Sequence, residues 1–544
     1  MPSLHARTLK LIVSGLLTLL VGASFYASVT RIYDDGSKVH DDAPVPPQAL
    51  NNETVLPWRI RSPPLAQVTP EQHLKSAKKK NTETKDNLKD AASSVEHEPK
   101  GKVKKISPKT KKPLNILLLY GDDWRHDSIG SASGGLVKTP FFDNLAMQGM
   151  RFTHNCVTTS VCWISRATLY TGQYVSRHKS TDPSKPDFYK GWNQTFPYLL
   201  RQAGYYFGHV GKWHFKDYAE FIKPQLDWER PYYGRHWWEE RGGLIHTTKK
   251  NERDAIAFLR ERPKDKPFCL TVCFFTPHAQ DSSPEQYLPQ NESMKLYIND
   301  TIPLAPSATN QAWEKMPKFF GEINAGRTRF FKRFDTQEKY QKMMKNYYRL
   351  ISEIDYSSEQ IVKEVESQGA LDDTLVIFTT DNGYFHAEHG LAEKFYPHQE
   401  SIRVPLIVRD PRMAADKVGK LSDDFTLNID LAPTILGAAG IQTPDVMNGQ
   451  DISLIYTKGV TGNSWRKEFF YEHPVHLKES VIPASEALVR KDFKYILWPN
   501  YDTEQLFDLK NDAYELNDLV HNKDYNGVLQ KMRMKFQELK KLAK

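Results

Sequence analysis

Four runs of consecutive apolar residues, three ended by a short polar cluster, constrain this 544-residue chain more than any other feature. Asn115-Ile116-Leu117-Leu118-Leu119-Tyr120 closes on Gly121-Asp122-Asp123, and Leu375-Val376-Ile377-Phe378-Thr379-Thr380 closes on Asp381-Asn382-Gly383. Phe268 to Phe275 closes on Thr276-Pro277-His278, and Val404 to Val408 is a fourth run. A short run of this kind reads as a strand covered on both faces, the kind a parallel sheet uses. Helical patterns lie between the runs, for example Asn251 to Glu261 and Tyr347 to Ser367. Strands that alternate with helices predict an α/β fold. Open sheets of this class place ligands beyond the carboxyl ends of their strands, which is where the polar clusters fall.

The pattern changes near Thr457. Glu486 to Arg490 and Phe493 to Trp498 read as short antiparallel strands, and a helix follows from about Tyr525 to Leu542. The expected organisation is a catalytic α/β domain over 113–456 and a smaller α+β subdomain with an antiparallel sheet over 457–544.

The first 112 residues read differently. Leu11 to Val29 carries no charge and follows Arg7 and Lys10. Such a run is long enough to span a bilayer, and the preceding positive residues favour that end in the cytosol. Residues 1–29 are therefore a signal anchor, or a signal peptide with Gly22-Ala23-Ser24 at the cleavage site. Either reading sends the chain into the secretory pathway. The anchor gives a single-pass type II membrane protein with its body in the lumen; cleavage gives a secreted or lysosomal one. Asn-x-Ser/Thr sequons at Asn52, Asn193, Asn291 and Asn299 fit that compartment as glycosylation candidates. Residues 30–112, with six prolines from Pro44 to Pro64 and then Lys-rich sequence, read as a disordered stem.

The net charge of +8 raises nucleic acid as a partner, but its distribution argues against one. Residues 1–70 carry +1, residues 71–112 carry +7, and residues 113–544 are formally neutral. Four cysteines in so long a chain do not make a disulfide scaffold; Cys156, Cys269 and Cys273 read as small buried hydrophobes.

The segment with most chemical content is Cys162-Trp163-Ile164-Ser165-Arg166-Ala167-Thr168-Leu169-Tyr170-Thr171-Gly172-Gln173. It resembles the signature of the type I, formylglycine-dependent sulfatases, within the alkaline phosphatase-like superfamily. Other elements follow in that family's order: Asp122-Asp123, Gly211-Lys212-Trp213-His214, Thr276-Pro277-His278, Asp381-Asn382-Gly383, His389-Gly390-Leu391 with Lys394, and Arg403-Val404-Pro405. Asp430-Leu431-Ala432-Pro433-Thr434 and Leu506-Phe507-Asp508-Leu509 extend the likeness over about residues 113–520. Ile164 departs from the pattern, which has Pro or Ala there; Asp512-Ala513 departs at a turn that is usually Asp-Pro.

The resemblance implies a large mixed, mostly parallel sheet sandwiched by helices. It implies that Cys162 is converted to formylglycine (3-oxoalanine) by the formylglycine-generating enzyme, and that Ca²⁺ is bound by Asp122, Asp123, Asp381, Asn382 and the modified Cys162. Arg166 would hold the hydrated aldehyde, Lys212 and Lys394 the sulfate oxygens. His278 would be the acid for the leaving alcohol, His214 the base that restores the aldehyde, and His389 a substrate contact. The implied reaction is hydrolysis of sulfate esters, on a sulfated carbohydrate or similar substrate.

The residue types suit this chemistry independently. Carboxylates and an amide offer only hard oxygen ligands, which select Ca²⁺ or Mg²⁺ over zinc. A thiolate that attacked sulfur would end in a dead adduct, whereas an aldehyde hydrate has a second hydroxyl with which to expel sulfate. Two other readings stay open: a phosphatase or phosphodiesterase of the same superfamily, and a catalytically inactive protein whose pocket binds sulfated glycans while Cys162 stays a thiol. Trp237-Trp238 reads as packing more readily than as a sugar platform.

Overall fold

A computed structural model describes residues 113–474 and 477–544. The leader, the stem and Asn52 lie outside the described residues. Among the described residues no helix is long and apolar enough to cross a membrane.

Four parallel strands form the centre of an eight-stranded sheet: β1 (Asn115–Gly121), β2 (Tyr206–Gly211), β3 (Phe268–Cys273) and β4 (Thr374–Thr380). Their order in the sheet is β2-β3-β1-β4. Trp228–Pro231 extends the sheet beside β2. Leu406–Arg409, Met150–Phe152 and Lys420–Ser422 extend it beyond β4. Only Leu406–Arg409 runs against the others, so the sheet is mixed and mostly parallel. The expected strand at Val404 begins two residues later, because Val404 and Pro405 still belong to the approach; Arg403 bridges to Cys156 there. The run from Phe268 leaves the sheet at Cys273, and Phe274 and Phe275 enter the following loop.

Alternation along β1 explains why its sequence is apolar throughout. Ile116, Leu118 and Tyr120 enter one core with the helices Cys162–Thr171, Phe196–Gln202 and Leu431–Ala438. Leu117 and Leu119 enter the other, with the helices Thr247–Glu261 and Gln337–Ser367. With side chains on both faces buried, polar residues are excluded until the strand ends.

Downstream, Glu468–His473, Ser485–Arg490, Phe493–Trp498 and Thr503–Asp508 form a four-stranded antiparallel sheet. Phe470, Leu488, Tyr495 and Leu506 on one face pack on the terminal helix Asn526–Ala543. Phe469, Tyr471, Val489 and Ile496 on the other face join the larger core. The subdomain is thus fixed to the body by apolar burial.

Candidate active site

The strand register builds the site. Gly121 of β1 pairs with Thr380 of β4, so Asp122 and Asp381 leave neighbouring strand ends together. On the other side Tyr120 pairs with Cys273, and the β3 chain continues to His278. Cys273 pairs in turn with Gly211, after which β2 delivers Lys212 and His214. Gly211 has a φ of +90°, and a Cβ there would lie 2.1 Å from the carbonyl oxygen of Cys273. Glycine is therefore required at the point where Lys212 turns out of the sheet.

A helix, α1 (Cys162–Thr171), supplies the remaining groups with all ten residues buried. It starts at Cys162 and stops at Gly172, whose left-handed backbone lets its N–H cap Thr168. Arg166 is one turn below Cys162 on the same side of the helix. Its Nη2 and Nε donate to Asp381 Oδ2 (2.7 and 3.0 Å), and its Nη1 donates to the Lys212 carbonyl (2.9 Å). Lys212 Nζ pairs with Asp122, and Lys394 Nζ lies 2.8 Å from Asp123 Oδ1. Asn382 Nδ2 donates to Asp123 Oδ1 at 2.6 Å.

The structure therefore brings Asp122, Asp123, Asp381 and Asn382 together with Arg166, Lys212 and Lys394, all essentially without solvent exposure. Cys162 is buried in the same electrostatic environment, with Lys212, Lys394, Asp122 and Asp381 acting on its thiol. His278 Nε2 lies 3.5 Å from Asp123 Oδ2. His214 is half-buried against Trp163 and Tyr233, with Nδ1 unpartnered. His389 is not brought into this cluster; it lines a separate cavity with His398. Asn193, Asn291 and Asn299 are exposed. All four cysteines are free and buried. Trp237 and Trp238 sit half-buried in a two-stranded hairpin with Gly243–His246.

Charge crowding is the main electrostatic feature. Burial, then the Asp381 carboxylate, pushes the Asp122 carboxyl up to about 8. Asp381 is held below the usual range, burial being outweighed by Arg166, Lys212 and Lys394. Burial pushes the Cys162 thiol up to about 11, away from the thiolate of a reactive cysteine. Burial also lowers His278 to about 4 and, with Lys212, depresses His214 strongly.

The cluster fits a hard divalent cation. Asp122 Oδ1 and Asn382 Oδ1 are buried and have no hydrogen-bond partner. Ligand atoms of Asp122, Asp123 and His278 lie within 4.8 Å of one another. Several carboxylates packed this closely need a compensating positive charge, and oxygen donors suit Ca²⁺ or Mg²⁺.

Sequence reasoning missed the supports. Leu288 N–H donates to His236 Nδ1 (3.0 Å), so His236 carries its hydrogen on Nε2 and donates to the His278 carbonyl (2.8 Å). Arg333, fully buried, ties Asp281, Glu393 and Tyr384 together behind Lys394. Tyr347 Oη donates to the Asp123 carbonyl (2.8 Å). Glu393 could have been suspected from its place beside Lys394; nothing local in the sequence marks the others.

Known proteins similar to this chain are sulfatases and related hydrolases. The family model described as Sulfatase matches residues 114–441, and that described as N-sulphoglucosamine sulphohydrolase, C-terminal, matches residues 387–542. An N-acetylglucosamine-6-O-sulfatase of Bacteroides thetaiotaomicron is 27% identical over 495 residues, covering 80% of this chain and 87% of that protein. A protein solved in complex with its substrate D-glucosamine-2-N,6-O-disulfate superposes with a TM-score of 0.67 at 24% identity, over 79% of this chain and 98% of that one. The phosphonate monoester hydrolase of Agrobacterium radiobacter superposes with a TM-score of 0.66 at 23% identity, over 79% and 96%. At these identities the structural likeness is one of fold.

Proposed function

The chain belongs to the sulfatase family and is a sulfuric ester hydrolase, and we propose that it works through a formylglycine made from Cys162 beside a calcium ion. The observation that carries this reading is the convergence of four oxygen-bearing side chains with Arg166, Lys212 and Lys394, with buried oxygens of Asp122 and Asn382 unpartnered. The substrate is a carbohydrate sulfate, with sulfated amino sugars the first to try; the identity to an N-acetylglucosamine-6-O-sulfatase supports that choice.

Asp122, Asp123, Asp381 and Asn382 would hold Ca²⁺, which supplies positive charge for the nucleophilic and sulfate oxygens. The hydrate of an aldehyde at residue 162 supplies one hydroxyl to attack sulfur and a second to release the sulfate. Lys212 and Lys394 bind the sulfate oxygens and stabilise the charge that develops on them. Arg166, held by Asp381 and the Lys212 carbonyl, orients the oxygens on residue 162. His278 Nδ1 donates to the Ala279 carbonyl (2.6 Å), which turns Nε2 to the site; there the imidazolium, with a second proton on Nε2 beside the Asp123 carboxylate, would protonate the departing alcohol oxygen. His214 takes the proton from the second hydroxyl.

We assign residues 113–456 to the catalytic domain and 457–544 to the C-terminal subdomain. The uncharged run from Leu11 to Val29 and the exposed Asn193, Asn291 and Asn299 support passage through the secretory pathway.

Peptide mass spectrometry of the Cys162 segment, from protein made in a secretory host, tests the reading together with a screen for released inorganic sulfate. An aldehyde with sulfate release is expected. An unmodified thiol in protein that still releases sulfate would refute the nucleophile. An unmodified thiol without turnover would favour a sulfated-glycan binding protein.

A further inference from the structure

Between the α/β body and the antiparallel sheet lies a cavity of about 320 Å³. None of Asp122, Asp123, Cys162, Lys212 or Asp381 lines it. Its wall takes His389 and His398 from the body, Gln505 and Phe507 from the last strand of the sheet, and Glu515 and Asn517 from the chain beyond.

His389 and His398 are 2% and 1% exposed, with ring centroids 4.9 Å apart. Nε2 of His389 and Nδ1 of His398 have no hydrogen-bond partner. A buried polar group left unpaired is costly, and one beside a cavity asks what fills it. The two residues also bracket Lys394, which lies between them on a short segment. The backbone is left-handed at Ala387, His389, Glu393 and Phe395, with φ of 82°, 54°, 88° and 85°. A ligand in the cavity would therefore touch both ends of the segment that carries Lys394 to Asp123.

The wall also limits what that ligand can be. Burial keeps both imidazoles neutral, lowering His389 to about 4 and His398 well below its ordinary value. Glu515 Oε1 is 2.6 Å from Lys494 Nζ, so its charge is already paired. Lys315, at the margin, donates to Asn517 (3.1 Å). An anion would find no free buried cation here. Hydroxyl groups, each both donor and acceptor, suit neutral imidazoles and amides, and Phe507 and Met316 offer apolar surface to C–H groups. The volume is at the small end of ligand pockets (roughly 300–1,000 Å³), room for one ring and not for a chain.

We propose that this cavity is a second carbohydrate subsite, which takes one uncharged sugar ring of the glycan whose sulfate ester is cleaved; the role rests on the sulfatase reading above. Full-chain protein is titrated calorimetrically with unsulfated N-acetyl-D-glucosamine, as wild type, as His398→Phe and as Asn517→Ala. His398→Phe keeps a ring in place and removes both nitrogens; Asn517 is exposed, so its truncation tests the cavity if the first variant fails to fold. Saturable binding by the wild type, weakened about tenfold in either folded variant, is expected, one lost hydrogen bond in a desolvated site being a change of that order. The same variants should raise KM for a sulfated disaccharide more than for an aryl sulfate. No binding by the wild type, or unchanged affinity in both variants, would overturn the subsite. Hydrolysis of the aryl sulfate by the wild type reports on the sulfatase reading separately, because that substrate has no sugar to place.

Discussion

Replacing His236 by Phe should separate the proposed acid from the rest of the catalytic cluster. His236 is fully buried and joins the Leu288 N–H to the His278 carbonyl, so it fixes the backbone that carries the proposed acid. Phe preserves the ring and its packing against Phe275, whose centroid is 5.5 Å away. What is lost is two hydrogen bonds, leaving one buried donor and one buried acceptor. Each orphan costs about 1–3 kcal/mol, so about 4 kcal/mol is the expected destabilisation. A domain with about 5–15 kcal/mol to lose should still fold, with a lower melting temperature. Freed from its tether, His278 shifts, and a displacement of about 1 Å in a catalytic group can lower a rate about 10²-fold. That loss should fall on substrates that need a proton on the leaving oxygen. A sugar sulfate releases a basic alkoxide and should lose about 10²-fold in kcat. A nitrophenyl sulfate releases a stable phenolate and should lose little. The assay is sulfate release from both substrates by folded wild type and variant, with melting temperatures measured alongside. Equal losses on the two substrates, or no loss on either, would refute the claim that His236 acts through an acid at His278.

Cys162→Ala should abolish sulfate release and leave the melting temperature within a few degrees of wild type, since a small buried side chain is lost; measurable turnover would exclude residue 162 as the nucleophile. A chelator should lower both activity and melting temperature, and Ca²⁺ should restore both, because binding to the folded state stabilises it; a melting curve unmoved by either reagent would count against the oxygen cluster. Gly211→Ala should destabilise by several kcal/mol in urea melts: the left-handed backbone alone costs about 1–2 kcal/mol, and the new Cβ would lie 2.1 Å from the Cys273 carbonyl oxygen. Glu353→Gln tests a pH effect remote from the cluster. Burial raises the Glu353 carboxyl from 4.5 to about 7. Its favourable contribution is therefore full below about pH 4.5 and lost as the pH rises through 7. Relative to the variant, the wild type should lose about 3 kcal/mol across that window, at about 1.36 kcal/mol per pH unit; parallel stability profiles would refute the assignment.

Much of the cluster was legible because its members sit just past strands whose composition is unmistakable. β1 and β4 are apolar on both faces, so the first acidic residues after them must lie at an edge of the sheet. β2 was not read as a strand: Gly208 and His209 interrupt its apolar character. Gly208 is small because Phe258 packs on it, a Cβ there falling 2.3 Å from the ring, and the His209 ring lies 2.9 Å from Thr271 on β3. Those reasons are tertiary, so no local pattern could show them. His389 illustrates the opposite case. Its motif position suggested a substrate contact without saying where; the left-handed turn at Ala387 and His389 carries the ring to the cavity shared with the antiparallel sheet.

The sequence by itself determined where strands stop and which polar groups follow them, since burial on both faces leaves a signature within a few residues. The helix that sets Cys162 and Arg166 one turn apart came from the structure, since the segment was legible in the sequence only as a motif. Only the tertiary structure decided that the strands stand in the order β2-β3-β1-β4, which is not their order in the chain. That order makes Asp123 N–H reach Asp381 across 258 residues, and it sets His236 beneath His278. Pairing at such separations follows from covering whole faces of a sheet, and from satisfying each buried donor and acceptor, which no short stretch of chain can do alone.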